Sequence, residues 1–215
     1  MPRNSHQDAL DDTKYRRLIE ATDGLDEPFQ TEAFAILVFG GRLGMRGGEI
    51  CHLSEDWVNW ERKMIEIPAY DACACGYCRQ QAHLATQHDD ELTIENAMAE
   101  RWQPKTEHSI RTIPFDFDEE VEAAVEIFFD RFDGYEHSRA SVNRRVDRVA
   151  EEAGIDPASI YPHALRATAA TNLAYAGVPA PALQSMMGWS KLSTATKYIR
   201  LSGTATADAL NAAFD

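Results

Sequence analysis

Tyr198 is the residue whose possible chemistry is the most specific in this sequence. A phenol is a weak nucleophile at its ordinary pKa of about 10, so it needs a neighbouring base and electrostatic help to attack. His163, Arg166 and Arg46 precede it, and Trp189 offers an indole N–H donor. Two planar guanidinium groups can clamp the charge that gathers on a phosphoryl group during substitution. The combination predicts covalent attack on a phosphodiester, with no catalytic cofactor.

These residues belong to short motifs that follow one another in a fixed order. The motifs are Leu43 to Glu49, Lys105-Thr106 before an Arg-Thr-Ile-Pro strand, His163-Ala-Leu-Arg166, Gly188-Trp189-Ser190, and Tyr198. Each is weak alone, but together they resemble the catalytic domain of the tyrosine recombinase, or phage integrase, family, from about residue 11 to 201. The resemblance implies an enzyme that cuts and rejoins DNA strands through a 3′-phosphotyrosyl intermediate.

The resemblance also implies a role for each polar residue of the motifs. Arg46 and Arg166 would bind the phosphate, and His163 would assist proton transfer around it. Trp189 would donate its indole N–H where many members of the family carry a histidine. Lys105 would protonate the departing 5′ oxygen, and the glutamate near Arg46, Glu49, would support the site.

The periodicity of apolar residues predicts an α+β fold that is mainly α, with a small antiparallel β-sheet. We predict a single catalytic domain over residues 1–215, with residues 70–98 as an insertion. Full-length integrases carry an N-terminal helical domain that completes a clamp around DNA, and the sequence predicts that this domain is absent. The predicted elements are helices over 11–22, 29–40, 46–54 and 138–153, a hairpin over 58–68, a strand over 109–114, and helices from 118 to the end, broken at glycines and prolines.

The helix predicted over 138–153 has two distinct faces. Val142, Val146, Val149 and Ala153 form an apolar stripe. The other face collects four polar or basic residues that we predict to contact DNA: Ser141, Arg144, Arg145 and Arg148.

The net charge of −14 is unusual for a protein that binds double-stranded DNA. In one interpretation the chain binds something neutral or basic, and its acidity serves solubility. In the other, which we favour, the whole surface is adapted to concentrated salt, as in halophiles, and the binding face is a local exception. Only five of the 21 basic residues are lysines, which fits the second interpretation.

Three cysteines lie within six residues, at Cys73, Cys75 and Cys78, and His83 follows. Thiolate and imidazole ligands suit a tetrahedral structural zinc ion that would pin the insertion. His88 could instead be the fourth ligand, or the thiols could bind nothing.

Two alternatives to a recombinase stay open at this point. The chain could be a non-catalytic DNA-binding or regulatory module that retains the integrase fold, or an acidic, zinc-stabilised interaction domain.

The longest apolar run, residues 33–39, is far shorter than the roughly 20 residues of a membrane span. The sequence therefore predicts a cytoplasmic protein that acts as an oligomer on DNA without a membrane.

Overall fold

The computed structural model describes residues 8–73, 75–89, 91–99, 102–104, 106–135, 137–203, 207 and 210–211. Ten α-helices and three β-strands lie within those residues. The helices are α1 (Asp12–Ala21), α2 (Phe29–Gly41), α3 (Gly47–Ile50), α4 (Gly76–Thr86), α5 (Ile94–Ala99), α6 (Glu119–Arg131), α7 (Arg139–Glu152), α8 (Pro162–Tyr175), α9 (Ala180–Met187) and α10 (Leu192–Ser202). The strands are β1 (Val58–Asn59), β2 (Met64–Ile67) and β3 (Arg111–Pro114). The predicted fold class, mainly helical with a small antiparallel sheet, is confirmed.

Helix α2 forms the centre of the core, because it is apolar on nearly all sides and packs against α6, α7 and α8. The helices around it are amphipathic, and side chains of the residues before them mark where several begin. Asp11 accepts a hydrogen bond from the backbone of α1, and Asp118 does so for α6. These hydrogen bonds satisfy N–H groups that have no partner inside the helix.

The three strands form an antiparallel sheet in the order β1-β2-β3. Ile65 in the central strand pairs with Val58 on one side and Ile113 on the other. The sheet lies against α9 through β3. The insertion joins β2 to β3, so the sheet links the base of the insertion to the C-terminal helices.

The predicted insertion contains two helices, α4 and α5, which pack on each other. Asp71 and Trp102 close its base through a pair of backbone hydrogen bonds of 3.0 and 3.1 Å. Helix α3, predicted over 46–54, is shorter than expected and ends at Ile50. Beyond this end, the Leu53 carbonyl accepts a hydrogen bond from the backbone N–H of Tyr135 at 2.9 Å.

Helix α7 has the predicted apolar stripe, but the prediction that Arg145 lies on a free basic face is wrong. Its Nε donates to Glu32 of α2 at 2.5 Å, and its guanidinium stacks over the Phe29 ring at 4.1 Å. Glu32 is buried, and His137 is its other partner. Ser141 is buried as well, next to Ser138 at the start of the helix. A helical wheel could not show this, since the carboxylate that draws Arg145 inward belongs to another helix.

Among the described residues, no helix is both long enough and apolar enough to cross a bilayer.

We predict that Arg145→Ala lowers the free energy of unfolding by about 2–3 kcal/mol, because the buried Glu32 carboxylate loses its main partner. Arg148→Ala is the matched control, since Arg148 is exposed on the same helix. This substitution should change the free energy of unfolding by less than about 0.5 kcal/mol. Urea unfolding of both variants measures the difference. Equal effects would show that the Arg145–Glu32 pair does not stabilise the packing of α7 on α2.

Candidate active site

The buried carboxylate of Glu49 is the centre of a cluster of charged side chains. Arg111 donates to it with both terminal nitrogens, at 2.8 and 2.9 Å. Arg46 donates its Nη1 to one oxygen and its backbone N–H to the other, both at 2.7 Å. The backbone hydrogen bond caps the first turn of α3. One carboxylate thus fixes two guanidinium groups and the start of a helix.

The pKa of Glu49 reflects this arrangement. Burial alone would raise it, but the hydrogen bonds and charge of Arg111, with the charges of Arg46 and Arg166, lower it to about 2. Glu49 is therefore a permanent anion at neutral pH, surrounded by cations.

Three arginines bind the backbone carbonyls at the C-terminal end of α9. Arg111 Nε donates to Met186 at 2.7 Å, and Arg46 Nη2 donates to Gly188 at 2.8 Å. Arg166 donates to the carbonyls of Met187 and Gly44. The last carbonyls of a helix lack partners within it and carry partial negative charge, so cations stabilise them. The arginines thereby fix the place where the chain leaves α9.

Gly188 turns the chain at that place, with a φ of +57°. A Cβ there would lie 2.9 Å from the His108 carbonyl oxygen and 3.0 Å from Arg111 Cδ, so both the backbone and the space require glycine. The Trp189 N–H then bonds back to the carbonyl of Gln184 at 3.1 Å, which completes a Schellman-type helix end.

Trp189 and Tyr198 follow this turn and stack on each other, with ring centroids 5.2 Å apart and planes 15° apart. Tyr198 lies on α10, which packs on α8 and α9. Only 5% of its surface is exposed. The tyrosine is therefore positioned by a stacked indole that itself follows the arginine-bound turn.

Arg166 is buried on α8, beneath the more exposed Arg46. Burial and the Arg46 charge lower its pKa below the usual value, although a guanidinium stays protonated at neutral pH. The charge of Glu49 acts in the opposite direction, and so would that of an ionised Tyr198.

The structure also places His163, whereas Lys105 lies outside the described residues. His163 is exposed on the first turn of α8, three residues before Arg166. The start of α3 lies beside this turn: a Cβ added to Gly47 would be 3.4 Å from Pro162. Arg46, Arg166, Trp189 and Tyr198 are therefore brought together, with His163 at the adjoining helix start.

Residues 8–204, the stretch that holds all of these side chains, match the phage integrase family. The chain belongs to this family.

Two curated relatives of this integrase-family chain are tyrosine recombinases. It is 26% identical over 181 residues to the tyrosine recombinase XerC of Corynebacterium glutamicum, covering 83% of this chain and 50% of the relative. It is 49% identical over 53 residues to XerD of Xanthomonas axonopodis pv. citri, covering 25% of this chain and 17% of the relative. The chain spans half the length of that XerC, and its alignment with XerD is shorter still.

Solved structures share its fold. An integrase of the transposon Tn1549, in complex with a circular intermediate DNA, matches with a TM-score of 0.66 and 20% identity, over 94% of this chain and 65% of that one. The XerA recombinase matches with a TM-score of 0.61 and 19% identity, over 94% and 62%.

The outer face of α7 in this family member keeps only part of the predicted basic surface. Arg144 and Arg148 are exposed, whereas Ser141 and Arg145 face inward. Arg139, which sequence analysis did not single out, is exposed at the start of α7, and its Nε would lie 4.0 Å from a Cβ at Gly47. The basic surface thus begins next to the arginine cluster.

The three cysteines of the insertion converge on a histidine, but not on the predicted one. The ligand atoms of Cys73, Cys75, Cys78 and His52 all lie within 4.8 Å of one another. Neither His83 nor His88 belongs to this group. His83 lies on the exposed side of α4, whereas the N-terminal end of that helix faces the turn after α3.

Arg111 and His52 are the residues of these two clusters that sequence analysis missed. Arg111 looked like an ordinary strand residue, and the one available signal was its place two residues before Ile113, on the same face of the strand. His52 stands about twenty residues before the cysteines, beyond the local spacings used to recognise metal sites.

We predict that Glu49→Gln removes on the order of 3 kcal/mol of stability at neutral pH. The folded-state pKa of about 2 lies below the ordinary value of 4.5. The carboxylate therefore stabilises the fold fully above about pH 4.5 and progressively less as the pH falls towards 2. Denaturant unfolding between pH 6 and pH 3 should show a smaller loss of stability in the variant than in the native chain. Glu151→Gln, at an exposed position on α7, should keep the native pH dependence; an unchanged pH dependence in Glu49→Gln would show that Glu49 is not the group concerned.

Proposed function

We propose that this chain is the catalytic part of a site-specific DNA recombinase, which cuts and rejoins double-stranded DNA through Tyr198. The observation that carries the proposal is the stacking of Tyr198 on Trp189, which follows the turn whose carbonyls Arg46 and Arg166 bind. The family supports it, as do the tyrosine recombinases and DNA-bound integrase that the chain resembles.

The reaction needs no input of energy beyond the DNA itself. The Tyr198 phenol oxygen would attack a backbone phosphorus, forming a 3′-phosphotyrosyl bond while the bond from phosphorus to the 5′ oxygen breaks. The phenol proton leaves with assistance from His163, and the departing 5′ oxygen takes up a proton from Lys105. A 5′ hydroxyl then reverses the steps on a new partner strand, so the phosphodiester energy is conserved.

The arginines supply the electrostatic part of the mechanism. Negative charge grows on the non-bridging oxygens as the phosphorus becomes five-coordinate, and fixed cations stabilise that charge more than they stabilise the starting phosphate. Arg46 is partly exposed and Arg166 is buried. Both terminal nitrogens of each are already bound, those of Arg46 to Glu49 and the Gly188 carbonyl and those of Arg166 to two carbonyls. We propose that an arriving phosphate competes with those carbonyls and thereby shifts α10, because the nearly buried Tyr198 must gain access to the DNA.

Arg139, Arg144 and Arg148 would bind the DNA backbone near this site. Their positive charges stand against a net charge of −14. An acidic surface suits a protein that works in concentrated salt, as in a halophile, because salt screens the repulsion between distant acidic groups and DNA. We propose that the enzyme acts in the cytoplasm, as an oligomer on its DNA sites.

The substitution Tyr198→Phe should abolish covalent protein–DNA adducts on a nicked suicide substrate, while changing DNA affinity by no more than a few-fold. It removes the attacking oxygen and keeps the ring that stacks on Trp189. Denaturing gels measure the adduct, and Tyr175→Phe, at an exposed tyrosine of α8, is the control. Adducts from Tyr198→Phe would identify another nucleophile, and DNA binding without adducts in the native chain would favour a non-catalytic module.

The double substitution Arg144→Gln with Arg148→Gln should weaken DNA binding and flatten its salt dependence by about one unit of log–log slope for each phosphate that is no longer neutralised. Glu119→Gln with Glu120→Gln alters two acidic residues on another helix and should change affinity only slightly, through screened long-range repulsion. Binding isotherms at several salt concentrations measure the slopes. Equal slopes for the native chain and the arginine variant would remove Arg144 and Arg148 from the DNA interface.

A further inference from the structure

Four side chains with metal-binding atoms meet between α3 and the insertion. His52 comes from the turn after α3, and Cys73, Cys75 and Cys78 come from the start of the insertion and of α4. All four cysteines of the chain are free of disulfides. Three thiols and one imidazole are a ligand set that favours zinc, and four protein ligands leave no open position for substrate.

The His52 ring is oriented for metal binding by the backbone of α3. Its Nδ1 lies 2.7 Å from the carbonyl oxygen of Gly48. A carbonyl can only accept, so Nδ1 carries the proton, and the lone pair of a neutral ring must then be on Nε2. Nε2 is the atom that faces the thiols. A second hydrogen bond of this kind is the usual way in which proteins orient a histidine ligand.

The distances in the cluster are close to those of a tetrahedral site. His52 Nε2 lies 3.4 Å from Cys78 Sγ and 3.7 Å from Cys75 Sγ. Zinc–sulfur bonds of about 2.3 Å and zinc–nitrogen bonds of about 2.0 Å place the nitrogen about 3.5 Å from each sulfur and the sulfurs about 3.8 Å apart. The four atoms lie within 4.8 Å of one another. The observed separations exceed those of a zinc site by about 1 Å or less. Rotation of the cysteine side chains can move the sulfur atoms by that distance.

The backbone supports the sulfurs as well. The Cys75 N–H is 3.5 Å from Cys73 Sγ, and the Cys78 N–H is 3.4 Å from Cys75 Sγ. N–H groups that point at sulfur stabilise the thiolate form, which is the form that binds metal. Trp102 packs on both the His52 ring and the Trp57 ring. Its ring centroid lies 5.7 Å from that of His52 and 4.6 Å from that of Trp57.

We propose that His52, Cys73, Cys75 and Cys78 bind one zinc ion, which fastens the insertion to the turn that presents Arg46 and Glu49. The connection is short: His52 bonds to the Gly48 carbonyl, and Glu49 is the next residue. The ion therefore ties a segment without catalytic residues to the helix on which the phosphate-binding arginine depends. Binding releases the thiol protons, and no oxidation or reduction is involved.

The metal site is tested on the full chain, reduced and reconstituted with zinc, by elemental analysis after removal of free metal. The native chain and His83→Ala should each retain close to one zinc per chain, and His52→Ala should bind zinc at least tenfold more weakly in chelator competition. Cobalt in place of zinc should show the absorption of a tetrahedral thiolate complex. Cys73→Ser provides a second variant in case His52→Ala does not fold. Less than about one tenth of a zinc per native chain, or loss of zinc from His83→Ala rather than His52→Ala, would overturn the site.

The link to the arginine turn rests on the proposed function and has its own test. The His52→Cys variant offers a fourth thiolate, so it should retain zinc. Its side chain cannot hydrogen-bond to the Gly48 carbonyl, so at saturating DNA it should form phosphotyrosyl adducts at least tenfold more slowly than the native chain. An adduct rate equal to that of the native chain would overturn the link and leave the zinc site standing. Zinc binding by a native chain that forms no adduct would count against the recombinase proposal alone.

Discussion

The geometry of the candidate active site depends on one buried anion, the carboxylate of Glu49. A buried charge is costly unless it is paired and hydrogen-bonded, and Glu49 meets this condition through Arg46 and Arg111. The same arginines, with Arg166, hold the last carbonyls of α9. The direction in which the chain enters α10, and with it the place of Tyr198, is thus set by a network around one carboxylate. The proposed phosphate-binding role of Arg46 and Arg166 cannot be separated from their structural role, because both guanidinium groups already bind backbone carbonyls.

This network explains how an acidic chain can present a positive site. The net charge describes the whole surface, whereas a phosphate at the site would meet Arg46 and Arg166 within a few ångströms, with Arg139 nearby. Close charges separated by protein interact more strongly than distant charges across salt water. Glu49 offsets part of the positive charge, but its position beneath the arginines lets it hold them rather than face the solvent. Overall acidity therefore does not decide whether a local patch binds DNA.

The sequence predicted most of the fold and named four residues that the structure brings together, whereas the misplaced Arg145 and the missed His52 have one cause. Helix α2, the hairpin and α7 were predictable from local signals. These signals are the periodicity of apolar residues and the glycines and prolines that end helices and strands. Arg46, Arg166, Trp189 and Tyr198 were predictable because their order in the chain is specific. Arg145 and His52 were not, since each is placed by a partner far away in sequence: Glu32 draws Arg145 inward, and the cysteines of the insertion lie around His52. A helical wheel, or the sequence spacing between neighbouring metal ligands, contains no information about partners that are distant in sequence.

If the His52 cluster binds a metal ion as proposed, the insertion supports the candidate active site without contributing a catalytic residue. An insertion between two strands is free to move unless something fixes it, and α4 and α5 pack mainly on each other. The Asp71–Trp102 pairing fixes its base, and the His52 cluster joins it to α3. A hydrogen bond between His52 Nδ1 and the Gly48 carbonyl continues this connection into α3. Since Glu49 and Arg46 share that turn, the proposed metal site would link the stability of the insertion to the position of the Arg46 guanidinium.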